Sequence, residues 1–223
     1  MENIECRMEN SFAILRSTFS LMDPKIEKAR ARDAIKQRLA RLSEKDRHAE
    51  GRTLSREILK ALPQEPATVA AYYPLQDEGD IRLVLQTLLE RGFRLYLPRF
   101  ESGKMVFRQA TSLDALVPGE WKIPVPPQSA PLLDPMTLMY ALVPARAFDR
   151  SGKRLGRGNG GYDIWIRAQR TANSKTKFWG VCLECQLLQT IPMEAHDETV
   201  EAIITARGCM NTAKNDTEAT KDK

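Results

Sequence analysis

Apolar residues near the start of the chain recur with helical spacing. In the segment 24–42, Ile35, Leu39 and Leu42 fall at positions i, i+4 and i+7, which gives a helix one apolar stripe. Pro24 at the head of the segment suits the first turn of a helix, because no hydrogen-bond donor is needed there. The pattern predicts a helix whose other faces are polar.

The pattern changes after residue 66, where continuous apolar runs flank an amphipathic segment. The runs ATVAAYYPL at 67–75 and FRLYLP at 93–98 are typical of buried strands. Between them IRLVLQTLLERG has helical spacing, with Asp80 as its predicted cap and Gly92 as its stop. Strand, helix and strand within about thirty residues form a βαβ unit, which predicts parallel pairing and a right-handed crossover.

The rest of the chain continues this alternation. Further elements are predicted as a helix from the capping Ser43 to Leu62, strands in KMVFRQA, TLMYALVPA, KFWGVCLE and VEAIITA, and a helix in YDIWIRAQR. The prolines of residues 117–135 predict a rigid loop. We expect one α/β domain over residues 24–208, with a mainly parallel sheet flanked by helices and a basic helical N-terminal arm. Residues 1–23 are predicted to be a loosely ordered extension, and residues 209–223 a disordered polar tail.

The net charge of +5 is concentrated in the two predicted N-terminal helices. Their basic residues are Lys25, Lys28, Arg30, Arg32, Lys36, Arg38, Arg41, Lys45, Arg47, Arg52, Arg56 and Lys60. A basic surface favours anionic ligands, either nucleic acid or a small molecule that bears phosphate. Nucleic acid is disfavoured, because the sequence has no RRM, KH or zinc-finger signature and no aromatic-rich stacking motif beside the basic residues.

The sequence has features that disfavour membrane insertion, secretion and a zinc site. No apolar run reaches the roughly 18 residues that cross a bilayer, and acidic residues precede the N-terminal apolar residues, unlike in a signal peptide. We expect a cytoplasmic location. Cys182 and Cys185 form a CxxC pair, which we interpret as two free thiols. The other candidate zinc ligands form no second close pair: Cys6, Cys209, His48 and His196.

The segment RLGRGNGGYD, residues 154–163, joins a predicted strand to a predicted helix. A glycine-rich turn before a helix brings backbone N–H groups close to phosphate oxygens. Arg154 and Arg157 can add charge-assisted hydrogen bonds. Asp163 can be a magnesium ligand or a helix cap. The spacing matches neither a Walker loop nor GxGxxG, so a flexible surface loop is the alternative interpretation.

Five segments together resemble one known family. RLGRGNGGYD resembles the signature of 5-formyltetrahydrofolate cyclo-ligases, commonly RLGxGxGYYD. Segments similar to other family motifs occur in the same order: KARAR in the first helix, YYPLQDEGD, GEWKIPVP, and AFDRSGKRLG before the glycines. The resemblance spans residues 25 to 206. It implies ATP-dependent closure of 5-formyltetrahydrofolate to 5,10-methenyltetrahydrofolate, with ATP as co-substrate and Mg²⁺ as cofactor.

The resemblance also implies roles for individual residues. ATP contacts are implied for Lys28, Arg32, Arg154, Arg157, Gly158, Asn159, Gly160, Gly161, Tyr162 and Asp163. Folate contacts are implied for Tyr73, Glu78, Trp121, Arg157 and Gly161. Catalytic roles are implied for Arg157 and Asn159. Magnesium ligation is implied for Asp163 and Asp197. His196 receives no role.

Several implied roles have an ordinary structural alternative. Lys28 and Arg32 share a helix face at i and i+4, which suits either a polyphosphate or a solvated basic surface. Asp197 can be an ordinary loop acid, and Trp121 can be a core tryptophan rather than a wall for a flat heterocycle.

Two positions depart from the family pattern. Asn159 stands where many members have lysine, and Gly161 stands in place of the first of two aromatic residues. A non-catalytic or altered-substrate member that binds folate or nucleotide is therefore the alternative function. In either case we expect a monomer whose small-molecule partners are reduced folate and ATP, without a membrane partner.

Overall fold

The structure, a computed structural model, describes residues 23–212. The helices of this part of the chain are α1 (Pro24–Ala40), α2 (Glu44–Ala61), α3 (Arg82–Glu90) and α4 (Gly161–Ala172). The strands are β1 (Thr68–Ala70), β2 (Arg94–Glu101), β3 (Lys104–Ala110), β4 (Val117–Pro118), β5 (Pro124–Val125), β6 (Tyr140–Pro144), β7 (Ala147–Asp149), β8 (Arg154–Leu155), β9 (Lys177–Val181), β10 (Leu187–Leu188), β11 (Ala202–Thr205) and β12 (Gly208–Asn211).

Seven strands form the main sheet, in the order β12-β11-β9-β6-β1-β2-β3. The five inner strands are parallel, and the edge strands β3 and β12 pair antiparallel with their neighbours. Strand β1 pairs with β2 through the predicted βαβ unit, with Val69 opposite Leu95. The predicted fold class, a mainly parallel α/β sheet flanked by helices, is confirmed.

Apolar clusters cover both faces of this sheet. Leu54 of α2 and Leu85 of α3 are fully buried in the cluster on one face, and Ile166 of α4 is fully buried in the cluster on the other. Helix α1 instead packs its predicted stripe, Ile35 and Leu39, against the small sheet β10-β7-β8. The basic arm is therefore attached to the domain beside the segment that leads into α4.

Helix boundaries follow the local sequence. Ser43 Oγ accepts a hydrogen bond from the Asp46 amide at 3.1 Å at the start of α2, as predicted. Gly92 adopts a φ of +77° after α3, which favours glycine. Asp80 is not the N-cap of α3, because Ile81 occupies that position, but its carboxylate accepts from the Arg82 amide at 3.0 Å.

Three expectations from sequence need correction or lie outside this part of the chain. β12 pairs with β11 beyond the predicted domain end at residue 208, so residues 209–211, predicted as disordered tail, extend the sheet. The proline-rich segment 117–135 contains the two-stranded ladder β4–β5, because prolines are tolerated in so short a ladder. The predictions for residues 1–22 and 213–223 lie outside the described residues.

Between residues 23 and 212, no helix has the length and apolar character that a bilayer crossing requires.

The glycine in β9 offers a test of the core packing. A Cβ at Gly180 would lie 2.6 Å from Cε1 of Phe148, a fully buried ring. We expect Gly180→Ala to lower the free energy of unfolding by about 1–3 kcal/mol, because overpacking forces the core to shift. Urea denaturation followed by circular dichroism measures the change.

Gly51 in α2 is the matched control. A Cβ there would meet Asp80 at an ordinary 3.5 Å, and the position is helical. Gly51→Ala should leave the stability unchanged or raise it by about 0.5–1 kcal/mol. Equal effects of the two substitutions would contradict the packing described.

Candidate active site

A cleft opens where the strand order of the main sheet reverses. From β1 the chain crosses to β2 on one side, whereas β6 lies on the other side of β1 and leads on to β9. Loops that leave the carboxyl ends of β1 and β6 therefore diverge, and such a switch point is the usual ligand site of an open α/β sheet. Tyr72 after β1 and Ala145 after β6 both line the cleft, whose volume is about 600 Å³.

Most residues with a role implied by sequence line this cleft. They are Tyr73, Glu78, Trp121, Arg154, Arg157, Asn159, Gly160, Gly161, Tyr162 and Asp163. Four others are not among the lining residues: Lys28, Arg32, Gly158 and Asp197. Arg32 and Gly158 lie beside the cleft. Lys28 contacts Asp197 in the loop of residues 194–198, which is hydrogen-bonded to α4 and lies behind it.

The glycine loop leads the chain into α4 at the cleft. Gly158 and Gly160 adopt φ values of +107° and +66°, which side-chain-bearing residues rarely adopt. Gly160 is the N-cap of α4, so the free backbone N–H groups of its first turn lie at the cleft. Asn159 Oδ1 accepts a weak hydrogen bond from the Gly161 amide at 3.4 Å, so this side chain supports the entry into the helix.

Arg154 and Asp163 form a buried ion pair at the base of the loop. Arg154 Nη2 lies 2.7 Å from Asp163 Oδ2. The other carboxylate oxygen of Asp163 accepts from the Glu198 amide at 3.2 Å. Asp163 is thus no helix cap, since it is the third residue of α4. Burial and the nearby Glu78 raise the pKa of the Tyr162 hydroxyl, which stays protonated.

Lys28 of α1 contacts two acids of the loop behind α4. Its ammonium donates to Glu194 at 2.8 Å and to Asp197 at 2.5 Å. Burial alone would lower the pKa of Lys28, but the hydrogen bonds to the two carboxylates outweigh it, so the pKa is raised. Burial alone would raise the pKa of Asp197, but the hydrogen bonds from Lys28 and the Glu194 amide hold it below its usual value. The alternative interpretation from sequence, a solvated basic surface, is therefore wrong for Lys28, which is buried.

The same loop has oxygen donors suited to magnesium. Ligand atoms of Glu194, His196 and Asp197 lie within 4.8 Å of one another. Carboxylate oxygens are the protein ligands that Mg²⁺ prefers, and the Glu198–Asp163 hydrogen bond holds this loop against α4. Asp163 is not part of the three-residue cluster, and both of its oxygens have protein partners. The residue types fit a magnesium site, with Asp197 better placed for it than Asp163.

Three arginines lie close to the glycine loop. Arg157 pairs with Asp77 and, at 3.0 Å, with Glu78, which is 8% exposed. Arg146, two residues after the end of β6, pairs with the same Asp77. Arg32 Nε donates to the Gly156 carbonyl at 2.9 Å. Burial, followed by the charges of Arg157 and Arg32, lowers the pKa of Arg146, so the three guanidinium groups lie close enough to repel one another.

An aromatic wall borders the cleft beside the start of α4. Trp121 is 70% exposed, so it is not a core tryptophan, and its backbone has a φ of +54°. Its ring meets the ring of Phe100 edge-on, with centroids 5.6 Å apart. A Cβ placed on Gly161 would lie 3.6 Å from the Phe100 ring. Phe100 therefore occupies space that a large side chain at residue 161 would need.

Four residues at or beside the cleft had no role assigned from sequence. They are Asp77, Phe100, Arg146 and Glu194. Asp77 adjoins Glu78 in the acidic turn, and Arg146 directly follows a predicted strand. Both therefore lie in loops after strands, where ligand sites of α/β sheets occur, and this position could have identified them. Phe100 and Glu194 gave no such signal, because the residues they contact, Gly161 and Lys28, are distant in sequence.

The sequence profile of the 5-formyltetrahydrofolate cyclo-ligase family matches residues 24–206. The chain belongs to the 5-formyltetrahydrofolate cyclo-ligase family. The resemblance drawn from its motifs is thereby confirmed.

Relatives of the cyclo-ligase family match over most of the domain. The 5-formyltetrahydrofolate cyclo-ligase of Mycolicibacterium smegmatis is 34% identical over 200 residues, covering 83% of this chain and 96% of the relative. The Escherichia coli K12 cyclo-ligase is 30% identical over 176 residues, covering 77% and 96%. The NMR structure of 5,10-methenyltetrahydrofolate synthetase from Aquifex aeolicus has a TM-score of 0.71 and 25% identity, covering 86% of this chain and 98% of that chain.

The ion pairs of Lys28 with Glu194 and Asp197 predict a loss of stability that depends on pH. The ionised Asp197 contributes to the free energy of unfolding above pH 3.8, the usual pKa of the carboxyl group. This contribution is lost as the pH falls through the lower pKa that Asp197 has in the folded protein. Lys28 remains charged throughout this range, since its pKa lies above 10.5. Lys28→Met should lower the free energy of unfolding by about 1.5–3 kcal/mol at pH 6 and by less at pH 3. Urea denaturation at the two pH values measures the difference.

Lys60→Met is the control, because Lys60 is 78% exposed and lies 3.8 Å from Glu57. This substitution should change the stability little at either pH. A loss for Lys28→Met that is equal at pH 6 and pH 3 would show that the ion pairs are not its cause.

Proposed function

We propose that this protein catalyses the ATP- and Mg²⁺-dependent cyclisation of 5-formyltetrahydrofolate to 5,10-methenyltetrahydrofolate, with release of ADP and phosphate. Membership of the family supports this activity. Relatives that are named cyclo-ligases match this chain along 96% of their own length. Reduced folate and ATP are the two small-molecule substrates. The cytoplasmic location and the monomeric state expected from sequence stay predictions.

The observation that supports the proposal most is that one cleft combines phosphate-binding groups with aromatic rings. It is lined by a glycine loop, the N-terminus of α4 and arginines, which are the groups that bind phosphate. Beside the start of α4 it also has the rings of Phe100 and Trp121, which suit a flat heterocycle. A cleft of about 600 Å³ is within the usual range for small-molecule sites.

The first chemical step activates a poor leaving group. In this proposal the formyl oxygen of the substrate attacks the γ-phosphorus of ATP, the bond to the β-phosphate oxygen breaks, and ADP leaves. Such transfers depend mainly on positioning and neutralisation of charge. Arg157 and the backbone N–H groups of residues 158–161 would supply both, and Asn159 would hold Gly161 in place.

The second step closes the ring. N-10 of the folate attacks the activated formyl carbon, phosphate leaves with the former formyl oxygen, and N-10 loses its proton. No covalent enzyme intermediate is needed. Glu78 is buried and bound to Arg157, so it would orient the substrate rather than accept this proton.

Magnesium would be held by Asp197, with Asp163 or Glu194 as a second carboxylate, and would neutralise charge on the polyphosphate. Lys28 fixes the Asp197 carboxylate and keeps it ionised. In this assignment Lys28 acts through Asp197, and its direct contact with ATP phosphate stays a prediction.

An activity assay with pure protein, MgATP and 5-formyltetrahydrofolate tests the proposal. Absorbance of the methenyl product and formation of ADP should rise together in equal amounts. Arg157→Gln and Asp163→Asn should each lower kcat/KM by about 100-fold or more, since each loses a buried or charge-assisted contact at the reacting end.

Arg207→Gln and Asp114→Asn are matched controls, because both residues are exposed and neither lines the cleft. They should retain full activity. Folate binding without ADP or methenyl product in the wild-type protein would refute the enzyme proposal and favour a non-catalytic binder. Unchanged rates in Arg157→Gln and Asp163→Asn would remove the glycine loop from the mechanism.

Gly161 provides a second test, of the aromatic wall. Its φ is not in the left-handed region, so the backbone does not require glycine there. Gly161→Ala should retain activity within about threefold, whereas Gly161→Tyr should raise KM for the folate by about tenfold, because its ring competes with Phe100 for space. Steady-state kinetics with varied folate measures both.

The double variant Phe100→Ala/Gly161→Tyr separates competition for space from general damage. It should recover part of the affinity lost in Gly161→Tyr, so the two effects will not add. Additive losses, or a gain of activity in Gly161→Tyr alone, would contradict the account of Phe100.

A further inference from the structure

Arg146 belongs to a group of three guanidinium groups beside the glycine loop. Arg32 donates to the carbonyl of Gly156, and its head also lies 3.8 Å from the position that a Cβ on Gly158 would take. Arg157 and Arg146 both pair with Asp77. The three arginines come from α1, from the glycine loop and from the segment after β6, so the fold brings them together from distant positions.

This arginine group has fewer acidic partners than cations. Arg146 and Arg157 share Asp77, and Arg157 also contacts Glu78. Within residues 23–212, no carboxylate forms an ion pair with Arg32. Like charges so close together are unfavourable unless an anion offsets them, and after burial the charges of Arg157 and Arg32 contribute to the lowered pKa of Arg146.

The other two cations implied for ATP are already neutralised. Lys28 donates to both Glu194 and Asp197, and Arg154 is paired with Asp163 in a buried site. Removing either cation from its acids to bind phosphate would leave buried or partly buried carboxylates unpaired, which is costly. The arginine group, in contrast, is accessible, with side chains of Arg146 and Arg157 that are 27% and 32% exposed.

The backbones on both sides of the Asp77–Arg146 pair are tied together. The side-chain amide of the buried Gln186 donates to the carbonyl of Asp77 at 3.3 Å and to that of Arg146 at 3.2 Å. Gln186 is 1% exposed. The pair is therefore held at a fixed place by the fold, rather than being a chance contact of two long surface side chains.

We propose that Arg146 is a phosphate-binding residue that completes, with Arg32 and Arg157, the seat of the ATP polyphosphate, and that Asp77 is an internal counter-ion which the bound polyphosphate displaces from Arg146. Arginine suits this position, because its planar fork binds phosphate oxygens in pairs. The inference deepens the proposed function and rests on it for the identity of ATP.

A polyphosphate fits this seat better than the carboxylates of a folate tail. The arginine group adjoins Gly156 and Gly158, whose lack of side chains lets an anion approach the backbone. The aromatic wall of Phe100 and Trp121 lies with Gly161 at the other end of the loop. The charge density of a polyphosphate also matches three clustered guanidinium groups.

Titration calorimetry with inorganic tripolyphosphate tests the inference without requiring catalysis. Arg146→Gln should raise Kd by about tenfold, and Arg146→Lys should raise it less, because lysine keeps the charge but loses the planar fork. Asp77→Asn should lower Kd several-fold, since the competing carboxylate is removed. Arg207→Gln changes the net charge equally at an exposed pair with Glu184 and should leave Kd unchanged.

The outcomes separate this inference from the proposed activity. Unchanged tripolyphosphate binding in Arg146→Gln, or weaker binding in Asp77→Asn, would overturn it even in an active enzyme. Weaker binding of a tri-glutamate peptide in Arg146→Gln, with tripolyphosphate unaffected, would assign Arg146 to the folate tail and also overturn it. The expected Kd changes in a protein without cyclo-ligase activity would refute only the proposed reaction.

Discussion

The reversal of strand order at β1 determines where everything else in the site can lie. Strand β1 pairs with β2 on one side and β6 on the other, so the chain segments that follow β1 and β6 part from each other. The buried amide of Gln186 then bridges the two segments at the carbonyls of Asp77 and Arg146. Because α4 starts at the same edge, the acidic turn, the glycine loop and the arginines meet in one cleft.

Charge in this cleft is held in place before any ligand arrives. Arg154 is fixed by Asp163, and Arg157 by Asp77 and Glu78. Fixed charges do not have to reorganise as the reaction proceeds, which is the main source of electrostatic catalysis. The pairs differ in burial, and this difference divides the cations into those that support the site and those that remain accessible to an anion.

Much of the fold was predictable from sequence, because its signals are local. The stripe of Ile35 and Leu39, the cap at Ser43 and the stop at Gly92 all appear in the structure as predicted. The end of the domain was not predictable, because β12 depends on an edge pairing with β11 rather than on its own apolar pattern.

The site was predictable only in part, since sequence motifs identify the residues of a site but not the side chains that those residues contact in the fold. The family motifs located the glycine loop, Glu78 and Trp121, which all line the cleft. They did not reveal that Lys28 is bound to two carboxylates, or that Phe100 from β2 fills space beside Gly161. Such contacts join elements far apart in sequence, so their consequences for specificity and charge needed the three-dimensional arrangement.

The most direct test of the account is to follow the formyl oxygen. The wild-type protein would be given MgATP and 5-formyltetrahydrofolate labelled with ¹⁸O in the formyl group, and the phosphate released would be examined by mass spectrometry. We predict one ¹⁸O atom in each phosphate formed, together with one ADP per methenyl product, because the phosphoryl group is transferred to that oxygen. Unlabelled phosphate, or ADP formed without ring closure, would contradict the account.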